Sequence, residues 1–180
     1  MSEDKIKKIK MILMDVDGVL TDGGIILGNE GLEIKIFNVQ DGMGITLARK
    51  AGLKIGIITG RNSEAVSSRA QELEIDELSQ GHFDKLSSYM SIKEKFGFTD
   101  EEIAYIGDDM VDLPILNRVG FSVAVANARE EIKPCVDYVT TASGGKGAVR
   151  EVIDLILKTL GKWDEAIEKV GLMKGDLKAE

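Results

Sequence analysis

Residues 11–22 read MILMDVDGVLTD, an apolar run followed by two carboxylates that are separated by one residue. The four apolar residues at 11–14 predict a strand that is buried on both faces of a sheet. Side chains two positions apart on a strand point to the same side, so Asp15 and Asp17 should emerge together at its carboxyl end. Open α/β sheets bind their ligands at that end. The stretch therefore predicts an α/β fold and the place of its functional site.

The two carboxylates also suggest a chemistry. A buried pair of carboxylates must share a proton or bind a cation, because the two charges repel each other. With a divalent cation, Asp15 could act as metal ligand and nucleophile, while Asp17 could donate a proton to a leaving oxygen and take one from water. Gly18 has no side chain, so a substrate or a turning backbone can come close. An isolated Asp-x-Asp after a strand is usually a solvated acidic loop, so the rest of the chain must decide.

Strands and helices alternate along the remaining sequence. Buried strands are predicted at 53–58, 103–106, 121–125 and 137–140, with a weaker one within 75–81, and helices at 63–74, 85–96 and 148–160. This alternation predicts an α/β fold with a mainly parallel sheet flanked by helices. Residues 2–10 are predicted to be a charged lead with marginal local structure. The tail after Gly161 has apolar residues at helical spacing up to Leu172 and Met173, and it is expected to dock on a neighbour or to fray.

The length and composition predict a single domain rather than several. The 180 residues, 43% of them hydrophobic, can bury one full core, so residues 1–180 are assigned to a single domain without a separate lid. The net charge of −8 argues against binding to nucleic acid or to an anionic lipid surface. A single cysteine, Cys135, excludes an intrachain disulfide, and neither a leader nor a membrane span is recognisable. A cytoplasmic protein is therefore expected.

The carboxylate pair is the first of several motifs that occur in a fixed order. The others are Thr59-Gly60-Arg61, Lys85 and Gly107-Asp108-Asp109-x-x-Asp112, and the set resembles the four motifs of the haloacid dehalogenase-like phosphatases. Further matches at 37–42, 57–61, 105–109, 123–126 and 144–152 resemble, within that superfamily, the sugar-acid phosphatases typified by 3-deoxy-D-manno-octulosonate 8-phosphate phosphatases. The resemblance covers roughly residues 11 to 160 without an obvious gap.

This resemblance implies a Rossmann-like fold and a Mg2+-dependent phosphatase. The reaction would release phosphate from a sugar-acid phosphate, as in lipopolysaccharide biosynthesis, through an aspartyl-phosphate intermediate. The implied catalytic residues are Asp15, Asp17, Thr59 and Lys85. The implied metal ligands are Asp15, Asp108 and the backbone carbonyl of Asp17, with Asp109 reaching the metal through water and Asp112 orienting Lys85. Asp109 and Asp112 could also cap the helix that follows them.

The same resemblance implies which residues contact the substrate. They are Asp17, Asn38, Val39, Gln40, Asp41, Gly42, Thr59, Gly60, Arg61, Arg69 and Lys85. Many relatives have an arginine where this chain has Gln40. Two of these residues have a simpler interpretation: Asp41 is a plausible N-cap of the helix that follows it, and Arg69 could be a surface charge paired with Glu72 or Glu74.

Residues 23–38 predict a β-hairpin in place of a large cap domain. Two apolar stretches flank Gly28-Asn29-Glu30-Gly31, and in the second stretch apolar residues alternate with charged ones. In the resembled family such hairpins meet in a tetramer, and a neighbouring subunit helps to close each active site. The alternative is that the hairpin packs over its own domain.

Two further functions remain open from the sequence. One is a related phosphatase acting on a nine-carbon sugar-acid 9-phosphate. The other is a non-catalytic oligomerisation module, as in the phosphatase-like domains attached to some cytidylyltransferases. The complete motif set argues against the second.

Overall fold

The fold was determined as a computed structural model that describes residues 2–171. The predicted tail residues Leu172 and Met173 lie outside this range. The strands are β1 (Met11–Met14), β2 (Ile26–Leu27), β3 (Glu33–Ile34), β4 (Lys54–Thr59), β5 (Glu77–Gln80), β6 (Ile103–Gly107), β7 (Phe121–Ala124) and β8 (Tyr138–Val139). The helices are α1 (Ser2–Ile6), α2 (Val39–Lys50), α3 (Glu64–Glu72), α4 (Lys85–Phe96), α5 (Leu113–Leu116), α6 (Ala148–Thr159) and α7 (Trp163–Lys169).

Six of the strands form one parallel sheet in the order β5-β4-β1-β6-β7-β8. β1 lies inside the sheet and pairs with β4 on one side and with β6 on the other, so that Met11 is level with both Lys54 and Ile103. All four residues of β1 are fully buried, as the uninterrupted apolar run predicts for a strand covered on both faces. The predicted α/β fold with a parallel sheet is confirmed.

Helix packing on this sheet follows from apolar stripes. In α6 the fully buried residues are Val149, Val152, Ile153, Ile156 and Leu157, and the helix packs against α2. Burial of each such side chain contributes about 1.5–3 kcal/mol relative to exposure. None of the helices in the described part of the chain has the length and apolar character needed to span a membrane.

The predicted hairpin is present as β2 and β3. The strands pair antiparallel, with Ile26 opposite Ile34, and they form a separate two-stranded sheet. The chain leaves β1 for this hairpin and returns to the domain through α2. The fold is therefore a sheet-and-helix body with a small hairpin where a large cap domain would otherwise be inserted.

Both ends of the described chain are better ordered than the sequence predicted. The lead at 2–10 contains α1, in which Glu3 and Asp4 lie in the first turn, where acidic charge favours a helix. Ile6 and Ile9 are buried in the core, which explains why this short helix forms. The tail also packs on its own domain as far as Lys169: Ala166 and Ile167 of α7 are buried. The prediction of a frayed or neighbour-docked tail is thus wrong for these residues.

Candidate active site

The predicted motifs converge at the carboxyl edge of the parallel sheet. Asp15 and Asp17 follow β1, Thr59 ends β4, and Asp108 follows β6. Since these three strands are neighbours, their ends meet at one place. A pocket of about 200 Å³ lies there. Its walls are formed by Asp15, Asp17, Thr59, Gly60, Arg61, Phe83, Lys85, Asp108, Asp109 and Val111.

Three carboxylates form a compact cluster, and two of them, Asp15 and Asp108, line this pocket. Asp15, Asp108 and Asp112 each offer an oxygen that lies within 4.8 Å of the others. Burial raises the pKa of Asp15 to about 6, although the Lys85 ammonium opposes this shift. Burial, followed by the charge of Asp15, raises the pKa of Asp108 to about 7. Both carboxylates are thus held in a place that disfavours their charge, and a hard divalent cation bound by oxygen ligands would relieve this repulsion.

Lys85 supplies positive charge beside this cluster. Its Nζ lies 2.8 Å from Oδ2 of Asp15 and 2.8 Å from Oδ1 of Asp112. Burial opposes the charge of the ammonium, but the two carboxylates outweigh it and raise the pKa of Lys85 above its usual value. Lys85 is the first residue of α4, a position unfavourable for a cation. Asp84 caps this helix, since its side chain accepts a hydrogen bond from the Ser87 N–H.

Asp112 is the fixed point of the loop that follows β6. Its carboxylate accepts hydrogen bonds from the Tyr105 hydroxyl at 2.7 Å and from the N–H groups of Asp108 and Asp109 at 3.0 and 3.2 Å. Asp112 is fully buried, and together with Asp109 it forms a capping box around the 3₁₀ turn Met110–Asp112. The geometry agrees with the predicted orientation of Lys85 by Asp112. It also brings an Asp112 oxygen into the carboxylate cluster itself.

Close contacts that only glycine permits occur beside Asp108, on the loop that follows β1. Gly18 has φ +96°, and a Cβ at this position would lie 2.1 Å from Oδ2 of Asp108. Asn127 bridges two loops here: its Nδ2 donates to the Gly18 carbonyl at 3.4 Å, and its Oδ1 accepts from the Gly144 N–H at 2.6 Å. Asn127 could not be predicted as part of the site, because a single asparagine in a loop carries no pattern.

Comparisons with known proteins agree with this geometry. Residues 74–153 match a family model described as haloacid dehalogenase-like hydrolase. The chain is 48% identical over 162 residues to the 3-deoxy-D-manno-octulosonate 8-phosphate phosphatase of Escherichia coli K12. The aligned residues cover 90% of this chain and 86% of the relative. The chain belongs to the 3-deoxy-D-manno-octulosonate 8-phosphate phosphatase family.

Solved structures of this family have the same fold. A Moraxella catarrhalis family member, in complex with a magnesium ion, a phosphate ion and a KDO molecule, superposes with a TM-score of 0.90 at 44% identity, covering 94% of this chain and 97% of that one. The Yersinia pestis phosphatase superposes with a TM-score of 0.88 at 44% identity, covering 90% and 88%. The family predicted from the motifs is confirmed.

The family's predicted substrate segment, residues 38–42, begins helix α2. Asn38 is the N-cap, and its side chain accepts from the Gln40 N–H at 2.8 Å. The alternative interpretation of Asp41 as the N-cap of α2 is therefore wrong. Asp41 is buried within the first turn, and its Oδ1 accepts from the Arg150 N–H at 2.8 Å. It thus caps α6, because the N-cap position of α6 is Gly147, which has no side chain.

The other residues of this predicted substrate segment, and Arg69, are not among those that line the pocket. The side chains of Val39 and Gln40 are exposed. Arg69 packs directly over Gly42, where an added Cβ would lie 2.3 Å from Nη2, and its guanidinium lies 5.9 Å from the centre of the Phe37 ring. Arg69 also pairs with Glu72 at 2.8 Å. The structure thus brings Arg69 to the predicted segment and also makes the surface ion pair that was its alternative interpretation.

A second feature of the family site was not anticipated. Lys35 of the hairpin reaches Asp17, and the Lys35 ammonium donates to Oδ1 of that carboxylate. The alternation in the second hairpin stretch assigns Lys35 to the face opposite the apolar residues, but it cannot say what that face meets.

Proposed function

We propose that this protein is a Mg2+-dependent phosphatase that converts 3-deoxy-D-manno-octulosonate 8-phosphate to 3-deoxy-D-manno-octulosonate and inorganic phosphate. As a member of its family, it is a phosphoric monoester hydrolase. The observation that carries the proposal is the position of Asp15, which lies at the end of β1 beside Lys85 and within the cluster that includes Asp108. The complex of the Moraxella catarrhalis relative with magnesium, phosphate and KDO supports both the ion and the sugar acid.

The residues present fit a magnesium ion. The cluster offers only oxygen ligands, with neither histidine nor cysteine among its members, and this donor set suits Mg2+ better than zinc. We assign the ion to the carboxylates of Asp15 and Asp108 and to the backbone carbonyl of Asp17, with Asp109 acting through water. When bound, Mg2+ neutralises charge shared by these carboxylates and the phosphoryl oxygens, so that an anionic nucleophile can approach an anionic substrate.

The reaction proceeds in two displacements on this chain's own residues. An oxygen of Asp15 forms a bond to phosphorus while the bond from phosphorus to the sugar oxygen breaks. Asp17 donates its proton to that leaving oxygen, which gives the free sugar acid and an aspartyl phosphate. Asp17 then takes a proton from water as the water oxygen attacks phosphorus, and this step releases inorganic phosphate and restores Asp15.

Thr59 and Lys85 hold the transferred group. Thr59 is 3% exposed at the end of β4, and with the adjoining Gly60 backbone it faces the pocket. The Lys85 ammonium would stabilise charge on the transferred oxygens, and Asp112 keeps this ammonium in place. Preorganised charge of this kind is worth most where negative charge develops in the transition state.

The far end of the sugar acid is assigned to the pocket mouth. We assign Arg61 and Arg69 as the cations for its carboxylate or hydroxyl groups, and residues 38–42 as further substrate contacts. Within that segment Oδ1 of Asp41 accepts from the Arg150 N–H, so Asp41 contributes through the position of α6.

The proposal includes a homotetramer that assembles through the hairpin. Large apolar side chains of the hairpin are exposed: Ile25, Ile26, Leu27, Leu32, Ile34 and Ile36. Phe83, at the rim of the pocket, is 85% exposed. A neighbouring copy would cover these surfaces and close the pocket. A cytoplasmic location completes the proposal, since a chain with one cysteine gains nothing from an oxidising compartment.

The deciding experiment measures phosphate release by the purified protein with Mg2+. We expect faster release from the eight-carbon 8-phosphate than from the nine-carbon 9-phosphate. Faster release from the nine-carbon substrate would replace the assigned sugar acid, and Gln40, which stands where many relatives have arginine, makes this comparison necessary. No Mg2+-dependent hydrolysis across a panel of sugar phosphates, together with a stable tetramer, would instead identify an oligomerisation module.

A further inference from the structure

Two charged side chains of the hairpin, Glu33 in β3 and Lys35 directly after it, contact Arg61 and Asp17 of the pocket. The Lys35 side chain is 1% exposed, whereas its neighbours Ile34 and Ile36 are 45% and 67% exposed. The Lys35 side chain therefore turns inward, whereas the apolar side chains of the hairpin face outward. Its ammonium donates to Oδ1 of Asp17 and lies 3.4 Å from Oε1 of Glu33.

Arg61 completes a ring of four charged side chains, in which the other three are Asp17, Lys35 and Glu33. Its Nη2 lies 3.4 Å from Oε1 of Glu33, and its Nε lies 3.8 Å from Oδ2 of Asp17. Glu33 therefore touches both cations, and each cation faces a different oxygen of the Asp17 carboxylate. Only the Lys35 contact has the length of a hydrogen bond to Asp17, since 3.8 Å is too long for one.

We propose that Lys35 is a positioning residue for Asp17 and that the hairpin thereby controls protonation of the leaving group. This inference rests on the proposed function. Lys35 donates to Oδ1 and fixes the rotation of the carboxylate, which leaves Oδ2 for the exchange of a proton with the leaving oxygen. In the first displacement this proton passes from Oδ2 to the sugar oxygen as that oxygen leaves phosphorus, and Asp17 becomes a carboxylate that Lys35 stabilises.

Two other roles for Lys35 make different predictions. Lys35 could act only as an anchor for the hairpin, or it could bind the carboxylate of the sugar acid. A positioning role affects only substrates whose leaving group needs a proton. An anchor affects every substrate equally, and a carboxylate-binding role affects only substrates that carry a carboxylate.

The experiment therefore compares Lys35→Met with wild type on three substrates. These are the eight-carbon sugar-acid phosphate, glucose 6-phosphate, which has a similar leaving group but no carboxylate, and p-nitrophenyl phosphate, whose leaving group departs without a proton. The measured quantity is kcat/KM, which reports the first displacement. We expect a loss of about 100-fold on the two sugar phosphates, as for a misplaced catalytic group, and a change of less than about 3-fold on the aryl phosphate.

Matched variants separate the remaining explanations. Lys35→Arg should recover part of the loss, and Lys35→Met in an Asp17→Asn background should cost little more than Asp17→Asn alone, because the two residues act as a unit. Lys54→Met is the control: Lys54 forms a lysine–aspartate pair with Asp76 at 2.7 Å at the opposite end of β4, and its loss should leave kcat/KM unchanged.

Two results would overturn the inference. An equal loss on all three substrates would make Lys35 an anchor, and a loss confined to the sugar acid would make it a ligand for the substrate carboxylate. If wild type hydrolysed none of the three substrates, the proposed function itself would fail. If instead wild type is active and only the expected difference between sugar and aryl phosphates is missing from the Lys35 variants, the proposed function stands and the inference about Lys35 fails.

Discussion

The ammonium of Lys85 and the carboxylate of Asp15 are 2.8 Å apart, and both side chains are at least nine-tenths buried. The pair joins the first residue of α4 to the end of β1. A buried carboxylate that already has one hydrogen-bonded cation keeps a fixed orientation, which is what attack on phosphorus requires.

Replacement of the nucleophile should abolish turnover. We expect Asp15→Asn to lower kcat by about 10⁴-fold or more, because an amide cannot form the aspartyl phosphate. The fold should persist, since burial already disfavours the charge of Asp15. Phosphate release and far-UV circular dichroism check the two parts. Asp22→Asn is the control, an exposed aspartate whose Oδ1 accepts from the Gly24 N–H at 2.9 Å, and near-normal rates in Asp15→Asn would refute the assignment.

The metal-free protein should lose stability as the pH rises from about 5 to about 8. Asp15 and Asp108 have pKa values of about 6 and about 7 in the folded protein, against an ordinary value of 3.8. The folded state therefore binds more protons than the unfolded state in this range, and the stabilisation is lost as pH rises through the folded pKa values. Saturating Mg2+ binds the deprotonated carboxylates and should reverse the trend.

Thermal denaturation with EDTA and with Mg2+ tests this expectation. Asp108→Asn should flatten the metal-free profile in the upper part of the range, since it removes the group with the higher pKa. A metal-free melting temperature that increases from pH 5 to pH 8 would contradict the prediction.

A methyl group at Gly18 should destroy the cation site. In Gly18→Ala the new Cβ would lie 2.1 Å from Oδ2 of Asp108, and the residue would also keep a φ of +96°. Gly52→Ala is a matched control, because Gly52 has φ +86° but an added Cβ there meets nothing within 4 Å. Both variants should lose about 1 kcal/mol or more to backbone strain. Only Gly18→Ala should also lose the Mg2+-induced rise in melting temperature, and an equal rise in both variants would show that Asp108 can move aside.

Charges on the hairpin should break the proposed tetramer. Leu27 and Ile36 are 70% and 67% exposed, so glutamate at both positions leaves the fold of one chain intact but prevents burial of the hairpin against another copy. We expect sedimentation velocity to shift from tetramer to monomer and kcat/KM to fall about 10-fold or more, since the pocket stays open to water. Met90→Glu is the control at an apolar position of α4 that is 41% exposed. A wild-type protein that already sediments as a monomer would contradict the proposal.

The sequence predicted those parts of the molecule that depend on local pattern. The apolar run at 11–14 gave the central strand, and the order of the motifs placed Asp15, Thr59, Lys85 and Asp108 on elements whose ends meet. The stretch Thr99-Asp100-Glu101-Glu102 is likewise a local capping-box pattern, and it forms a single 3₁₀ turn.

Contacts between distant segments could not be predicted from the sequence. Asp41 satisfies the local rule for a helix cap, yet its carboxylate is used by Arg150, 109 positions away. Lys35 and Asp17 are 18 positions apart, and nothing in an alternating strand indicates that its charged face meets the carboxylate of Asp17. The burial of Ile6 and Ile9 could not be predicted from the charged stretch at 2–10, because it depends on β7 and α6.

The interior position of β1 has a consequence for biosynthesis. Its two sheet neighbours are β4 and β6, which the ribosome makes in that order, so one edge of β1 stays unpaired until residues 103–107 have emerged. A nascent chain that stalls earlier carries Asp15 but lacks Asp108 and Asp112, and it exposes the unpaired edge of an apolar strand. Such fragments would be inert as enzymes and prone to aggregate, which makes complete translation a condition for both activity and solubility.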